Sequence, residues 1–312
     1  MDLLAQKLRR DGNLTGLKMR PARALIGWMP EREAHAVLAL PLTPTTPAPE
    51  HIERVQAARA AVWSRPAGLP QTHVLSHVGP ELDPYLAELE ADPRFQPYAQ
   101  AGWQVRLANL NQICALQPLV HLDYPDLNDP AHSASLSPIA QHPPHPVETD
   151  LLTLAKITLP FTNPSEVPAQ LDPQRHAWVF ESPNPDTRIV GRFSTRVELT
   201  PGMFVMGYGF CVAMMPSFVQ VVLYRGRYFL KDGYHRSLAF LNKGITQIPV
   251  LFRAIPDSET LLIEGALPEE ITLGPRPPRL TDYLRDDVSA STLSPAFGKT
   301  ITIQPLERLN WN

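Results

Sequence analysis

Asp232, Gly233, Tyr234, His235 and Arg236 stand in an unbroken row within "FLKDGYHRSLAF", residues 229–240. An acid, a glycine, an imidazole and a guanidinium at one point of a chain can hold an anion. A helix start leaves N–H groups without intrahelical partners and carries partial positive charge. A glycine just before it lets a ligand approach the backbone. Arg236 offers a fixed fork of donors. His235 can donate to a phosphate oxygen or act as acid or base near neutral pH. Asp232 can cap the helix, orient His235 or hold a phosphate-bound Mg²⁺. Gly233 to Ser237 would then cradle the phosphate, with Asp232 and His235 as the residues able to take part in catalysis. The plainer reading is a turn, because Asp-Gly is a common turn pair and an Asp cap needs no ligand. Against it, cations in the first turn oppose the helix dipole unless an anion is present.

The elements around the row are legible. "FVQVVLY" (218–224) reads as a strand, "RGR" (225–227) as a tight turn and "YFLKDG" as the returning strand. Tyr234, Leu238 and Leu241 fall on one helix face, and Gly244 suits the helix end. "ITQIPVLFRAI" (245–255) is a third strand. The row therefore sits at a strand-to-helix junction. Upstream, "HIERVQAARAAVWSR" (51–65) is a helix with Ile52, Val55, Ala58 and Val62 on one face. "ELDPYLAELEADP" (81–93) is an acidic helix carrying Leu82, Leu86 and Leu89. Trp103, Val105 and Leu107 alternate as in a strand. Residues 19–40 read as a strand or short helix around a proline.

The chain has 312 residues, 44% of them hydrophobic, enough for one large domain or two ordinary ones. Its formal net charge is −3, with no basic stripe, so the charge does not support nucleic acid as a partner. A local basic pocket is still compatible with that balance. Two separated cysteines, Cys114 and Cys211, argue against a disulfide scaffold or a Cys-based zinc site, and no metal ligands are assigned. No signal-peptide pattern is read, and a cytoplasmic setting is expected. The most apolar run, Met203 to Met215, is too short to span a bilayer and reads as a buried strand pair. The 35 prolines are about twice the usual share of roughly 5% and cluster in loops.

The stretch Tyr228 to Val250, "YFLKDGYHRSLAFLNKGITQIPV", resembles the signature of the ParB/sulfiredoxin superfamily. That signature is a strand, D-G-x-H-R or G-x-R-R, a helix with a small residue three after the Arg, a Gly and a P-V strand. Here the elements are Asp232 to Arg236, Ala239, Gly244 and Pro249-Val250. "MPSFVQVVLYRGRYFL" is similar to the family's preceding strand pair. More weakly, "VRLANLNQICALQPLV" (105–120) is similar to its opening strand and Gln-Pro loop. The strong part covers about forty residues. The resemblance implies nucleotide binding at the helix start. Members hydrolyse CTP, reduce sulfinic acids with ATP, or phosphorylate free serine. The sulfiredoxin reaction needs a Cys where this chain has Tyr234. Partition ParB proteins have two consecutive arginines and a helix-turn-helix domain, neither of which is read here. The kinase carboxylate is not located; Glu181, Asp186 and Glu198 stand as candidates.

The expected fold is α+β: a small mixed β-sheet with a helix of ParB/sulfiredoxin type, plus an N-terminal helical/α+β region. The expected divisions are 1–102, a core at 103–256 with a Pro-rich insertion near 125–175, and a C-terminal extension at 257–312. The expected ligand is a nucleotide or phosphorylated small molecule, ATP or CTP with Mg²⁺, and the chemistry NTP hydrolysis or phosphoryl transfer. The alternative is a non-catalytic sensing or regulatory module with a protein or DNA partner. No membrane partner is expected. Lesser candidates are His142 with His145 as metal ligands, His121 with Asp123 as a pair, and Met214 with Met215 lining an apolar pocket. Arg188, Arg192 and Arg196 would share one face of a strand.

Overall fold

The computed structural model describes residues 19–39, 47–68, 71–122, 150–161, 165–182, 187–214, 217–256, 261, 265–295 and 299–305. The chain opens with β1 (Met19–Ala24), α1 (Glu31–Ala39) and α2 (Pro49–Trp63). Then come β2 (Leu75–Ser76), α3 (Asp83–Ala91), α4 (Gln96–Gln100), β3 (Gln104–Asn109), β4 (Leu119–His121) and α5 (Leu151–Thr158). A run of strands follows: β5 (Ser165–Glu166), β6 (Ala169–Asp172), β7 (Ala177–Ser182), β8 (Thr187–Thr200) and β9 (Met203–Met214). The chain continues through β10 (Gln220–Tyr224), β11 (Arg227–Asp232), α6 (Tyr234–Asn242) and β12 (Gln247–Ala254). It closes with α7 (Glu269–Thr272), β13 (Ala290–Pro295) and β14 (Lys299–Ile303). The class is α+β. No helix among the described residues is long and apolar enough to cross a membrane.

The elements divide into two units. One comprises Met1–Phe161 with Ser217–Ala296, the other Thr162–Pro216 with Phe297–Asn312. In the first unit a mixed sheet runs β11-β10-β12-β3-β2, with β10 and β12 parallel and the other neighbours antiparallel. Successive strand residues point to opposite faces, and both faces are covered. Val221, Leu230 and Val250 enter one apolar cluster, and Val222, Phe229 and Leu251 enter the other. Burial on both sides is why β10 is apolar without alternation. The first cluster holds Val55, Ala58 and Val62 of α2 and Leu238 and Phe240 of α6. The second holds Leu82, Tyr85 and Leu89 around α3.

The N-terminal region and the chain after 257 are knitted together within this unit. β13 pairs with β1, whose other edge pairs with β4. Arg23 is buried in β1, and its Nε donates to the Tyr283 carbonyl at 2.7 Å. Its Nη2 donates to Ser289 Oγ at 2.6 Å and to Asp286 Oδ1 at 2.8 Å. A buried guanidinium requires this density of acceptors.

In the second unit, β8 and β9 form a long antiparallel ribbon, with β5 pairing at one end. The Met203-to-Met215 run, expected to be buried, is largely exposed over its described part: Met203 55%, Met206 53% and Tyr208 80%. Apolar composition alone suggested burial, but nothing covers these residues as a second layer among the described residues. A register shift between Ile189 and Gly191 also separates the three arginines. Arg188 pairs with Ala213, whereas Arg192 and Arg196 pair with Phe210 and Met206. The bulge therefore turns Arg188 to the opposite face from the other two. The Arg196 guanidinium lies 3.9 Å from the centroid of the Phe204 ring.

Candidate functional site

The junction between β11 and α6 is a tight turn. Gly233 has φ of +91°, in the left-handed region that favours glycine. A Cβ there would lie 2.7 Å from Val219 Cγ2 and 3.0 Å from Val219 Cα. The Gly233 N–H donates to Asp232 Oδ1 at 2.6 Å, which ties the carboxylate to the turn. Gly233 is also the N-cap of α6, and no side chain caps the helix. The helix therefore begins with first-turn amides lacking a side-chain acceptor.

Tyr234 and Arg236 are given structural partners. Tyr234 is buried, and its hydroxyl donates to the Leu230 carbonyl at 2.7 Å and accepts from the Leu116 N–H at 2.6 Å. Burial pushes its phenol well above the usual range. These bonds pin the Cys114–Gln117 segment beneath α6; Cys114 itself bridges to Phe229. Arg236 is buried too. Its Nη1 donates to the carbonyls of Ile157 at 3.0 Å and Ser217 at 2.8 Å, and its Nη2 to Ser217 Oγ at 2.9 Å. Ile157 lies in the last turn of α5, whose carbonyls carry partial negative charge. The cation that seemed out of place at one helix start therefore stabilises the end of another helix.

Ser237 is fully buried behind the first turn, and its Oγ has no hydrogen-bond partner among the described residues. Asp232 and His235 are the half-buried members of the row. The His235 imidazole stacks on His121 of β4, with ring centroids 6.2 Å apart and planes 8° from parallel. His121 Nε2 lies 3.1 Å from the Pro295 carbonyl. The sequence suggested Asp123 as the partner of His121, but Asp123 lies outside the described residues. No sequence signal links residues 121 and 235; the sheet β13-β1-β4 and the seating of α6 bring them together.

The remaining candidates fall elsewhere. Glu198 Oε1 accepts from the Gly202 N–H at 2.8 Å and so closes the β8–β9 turn. Glu181 lies in β7 of the second unit. Asp186, His142, His145 and Met215 lie outside the described residues, and the side chain of Met214 does too. Among the described residues no group of three or more His, Cys, Asp or Glu is placed to hold a metal. No protein-family profile, curated protein or solved structure matches the chain.

Proposed function

We propose that the first unit binds a phosphate-bearing ligand, a nucleotide or phosphorylated small molecule, at the start of α6. The observation that carries this reading is the helix start without a side-chain cap, on left-handed Gly233, beside the stacked imidazoles of His121 and His235. Amides at a helix N-terminus and imidazole N–H groups are phosphate donors. Arg236, Tyr234 and Ser237 would shape the turn rather than touch the ligand, since their side chains are buried and two are bonded to backbone. The resemblance to nucleotide-binding proteins makes ATP or CTP the first ligands to try. Asp232 would meet a Mg²⁺ carried on the phosphates. Binding without turnover is the favoured form, because Asp232 is held on the Gly233 N–H. Hydrolysis or phosphoryl transfer by Asp232 and His235 is the second reading.

Thermal unfolding with ATP, CTP, GTP and ADP, each with Mg²⁺, tests the proposal. Ligand at a hundred times its dissociation constant stabilises by about 2.7 kcal/mol. The shift should be smaller in the His121→Ala/His235→Ala double variant. No shift with any nucleotide, or a shift indifferent to both histidines, overturns the site. Release of inorganic phosphate would favour the second reading.

A further inference from the structure

Residues far apart in sequence assemble a second cationic feature in the same unit, with no contribution from α6. A cavity of about 420 Å³ is lined by Arg65, Arg276, Arg279, Arg285, Thr281 and Asp282, among others. Arg65 follows the end of α2, and the other five lie between α7 and β13. Asp282 accepts from Arg65 Nη1 at 2.9 Å and from the Arg279 N–H at 2.8 Å. Arg285 is paired outside the lining, with Asp287. Arg276 and Arg279 have no carboxylate partner among the described residues. Arg65 Nε and Nη2 and Arg279 Nε are buried without a hydrogen-bond partner among the described residues.

These unsatisfied donors are closed off from solvent, so an anion in the cavity would reach them only as the side chains turn toward it, a turn that the cost of an unsatisfied buried donor favours. Several such cations around one concavity focus positive potential and favour a ligand with more than one negative charge. The positions are held firmly. Arg276 Nε donates to the Arg65 carbonyl at 2.7 Å, and Trp28 Nε1 donates to the Arg276 carbonyl at 2.7 Å. Arg65 stacks over Trp28 at 5.0 Å and Arg276 over Trp63 at 5.1 Å. The volume suits a small organic molecule rather than a single inorganic ion. Trp63 lies outside the lining with Arg276 over one face of its ring, and, 68% exposed, it offers the other face to a planar base reaching past Arg276.

We propose that this arginine-lined cavity is a binding site for a nucleoside di- or triphosphate. The phosphates would lie between Arg276, Arg279 and Arg65, with the base against Trp63. The proposal does not rest on the reading of α6.

Isothermal titration of the full chain with pyrophosphate and ADP tests it. Wild type should bind both. Arg279→Gln should weaken both at least tenfold, and Arg276→Gln/Arg279→Gln more. Trp63→Leu should weaken ADP more than it weakens pyrophosphate. The His121→Ala/His235→Ala variant should leave this binding in place, which separates it from the α6 site. Circular dichroism checks folding. Arg279→Gln is the safer variant, because the side chain of Arg279 makes one long bond, 3.5 Å to the Asn111 carbonyl. No binding of either probe, or binding unchanged in the arginine variants, overturns the proposal. So does arginine-dependent binding of a single-stranded oligonucleotide without binding of pyrophosphate or ADP. Equal ADP binding by Trp63→Leu removes the base from it.

Discussion

Gly233 and Gly226 both have positive φ, +91° and +75°, but they differ in what surrounds them. A methyl group at Gly226 meets nothing within 4 Å, whereas one at Gly233 runs into the backbone of Val219. Gly226→Ala should cost about 1 kcal/mol, the penalty for a left-handed alanine. Gly233→Ala should cost clearly more, about 2–4 kcal/mol, since strain and overpacking add. Denaturant melts of the two variants would show the order, and equal costs would mean that the turn relaxes freely. The two cysteines make a second contrast. Cys114 is buried and its thiol is pushed up to about 11, chiefly by desolvation, while Cys211 is exposed. At pH 8 an aromatic disulfide reagent should titrate one thiol in the folded protein and both after denaturation. The folded state holds the Cys114 proton more tightly than the unfolded chain does. That contribution is complete below the ordinary thiol range, about 8.5, and is lost as pH rises through about 11. The glycine could be singled out from the sequence because Asp-Gly before a helical pattern demands a turn. The destination of Arg236 could not, because its acceptors lie 19 and 79 residues away in the chain.

The hairpin, helix and strand around the DGYHR row are the elements most legible from sequence, since each carries its own local signal: apolar strands, a glycine turn and a helical face. α5 shows what local signals omit. Asp150 caps its start, accepting from the N–H groups of Leu152 at 3.0 Å and Thr153 at 3.2 Å. Arg236 donates to the Ile157 carbonyl near its other end. Asp150→Ala should cost about 1 kcal/mol, the usual value of an exposed cap. Arg236→Met should cost more, roughly 2–3 kcal/mol, because buried carbonyls lose a charged donor. Hydrogen bonds, led by the Thr153 hydroxyl, hold the Asp150 carboxyl below its ordinary value. The cap therefore contributes fully above the usual carboxylate range and fades as pH falls through the lowered value. The difference in stability between wild type and Asp150→Ala should shrink in acid. A difference that grows in acid would sink the assignment of the cap.

At the scale of the whole molecule, the larger part of the second unit, Thr162–Pro216, enters the chain as an insertion, and β14 from the C-terminal segment pairs with its β7. The Val219 N–H donates to the Thr158 carbonyl at 2.9 Å, so the first unit's chain is already closed across the gap from Phe161 to Ser217. Among the described residues, neither apolar cluster of the first unit includes one from 162–216. Composition hid this arrangement. The apolar run from Met203 to Met215 read as a buried strand pair, and the knitting of β1 to the segment after 280 joins residues 260 or more apart. Four arginines around one cavity are equally invisible before folding, because net charge averages them away. A chain of residues 1–161 and 217–296 joined by a linker of about six residues should therefore fold, since loops of that length are ordinary connections. Shortening the loop also lowers its closure entropy slightly. It should melt in one cooperative transition and bind a hydrophobic dye more weakly than the full chain, because the exposed ribbon is gone. A broad, non-cooperative melt would show instead that the ribbon contributes to the first unit's stability, and the insertion would then be part of that unit's fold.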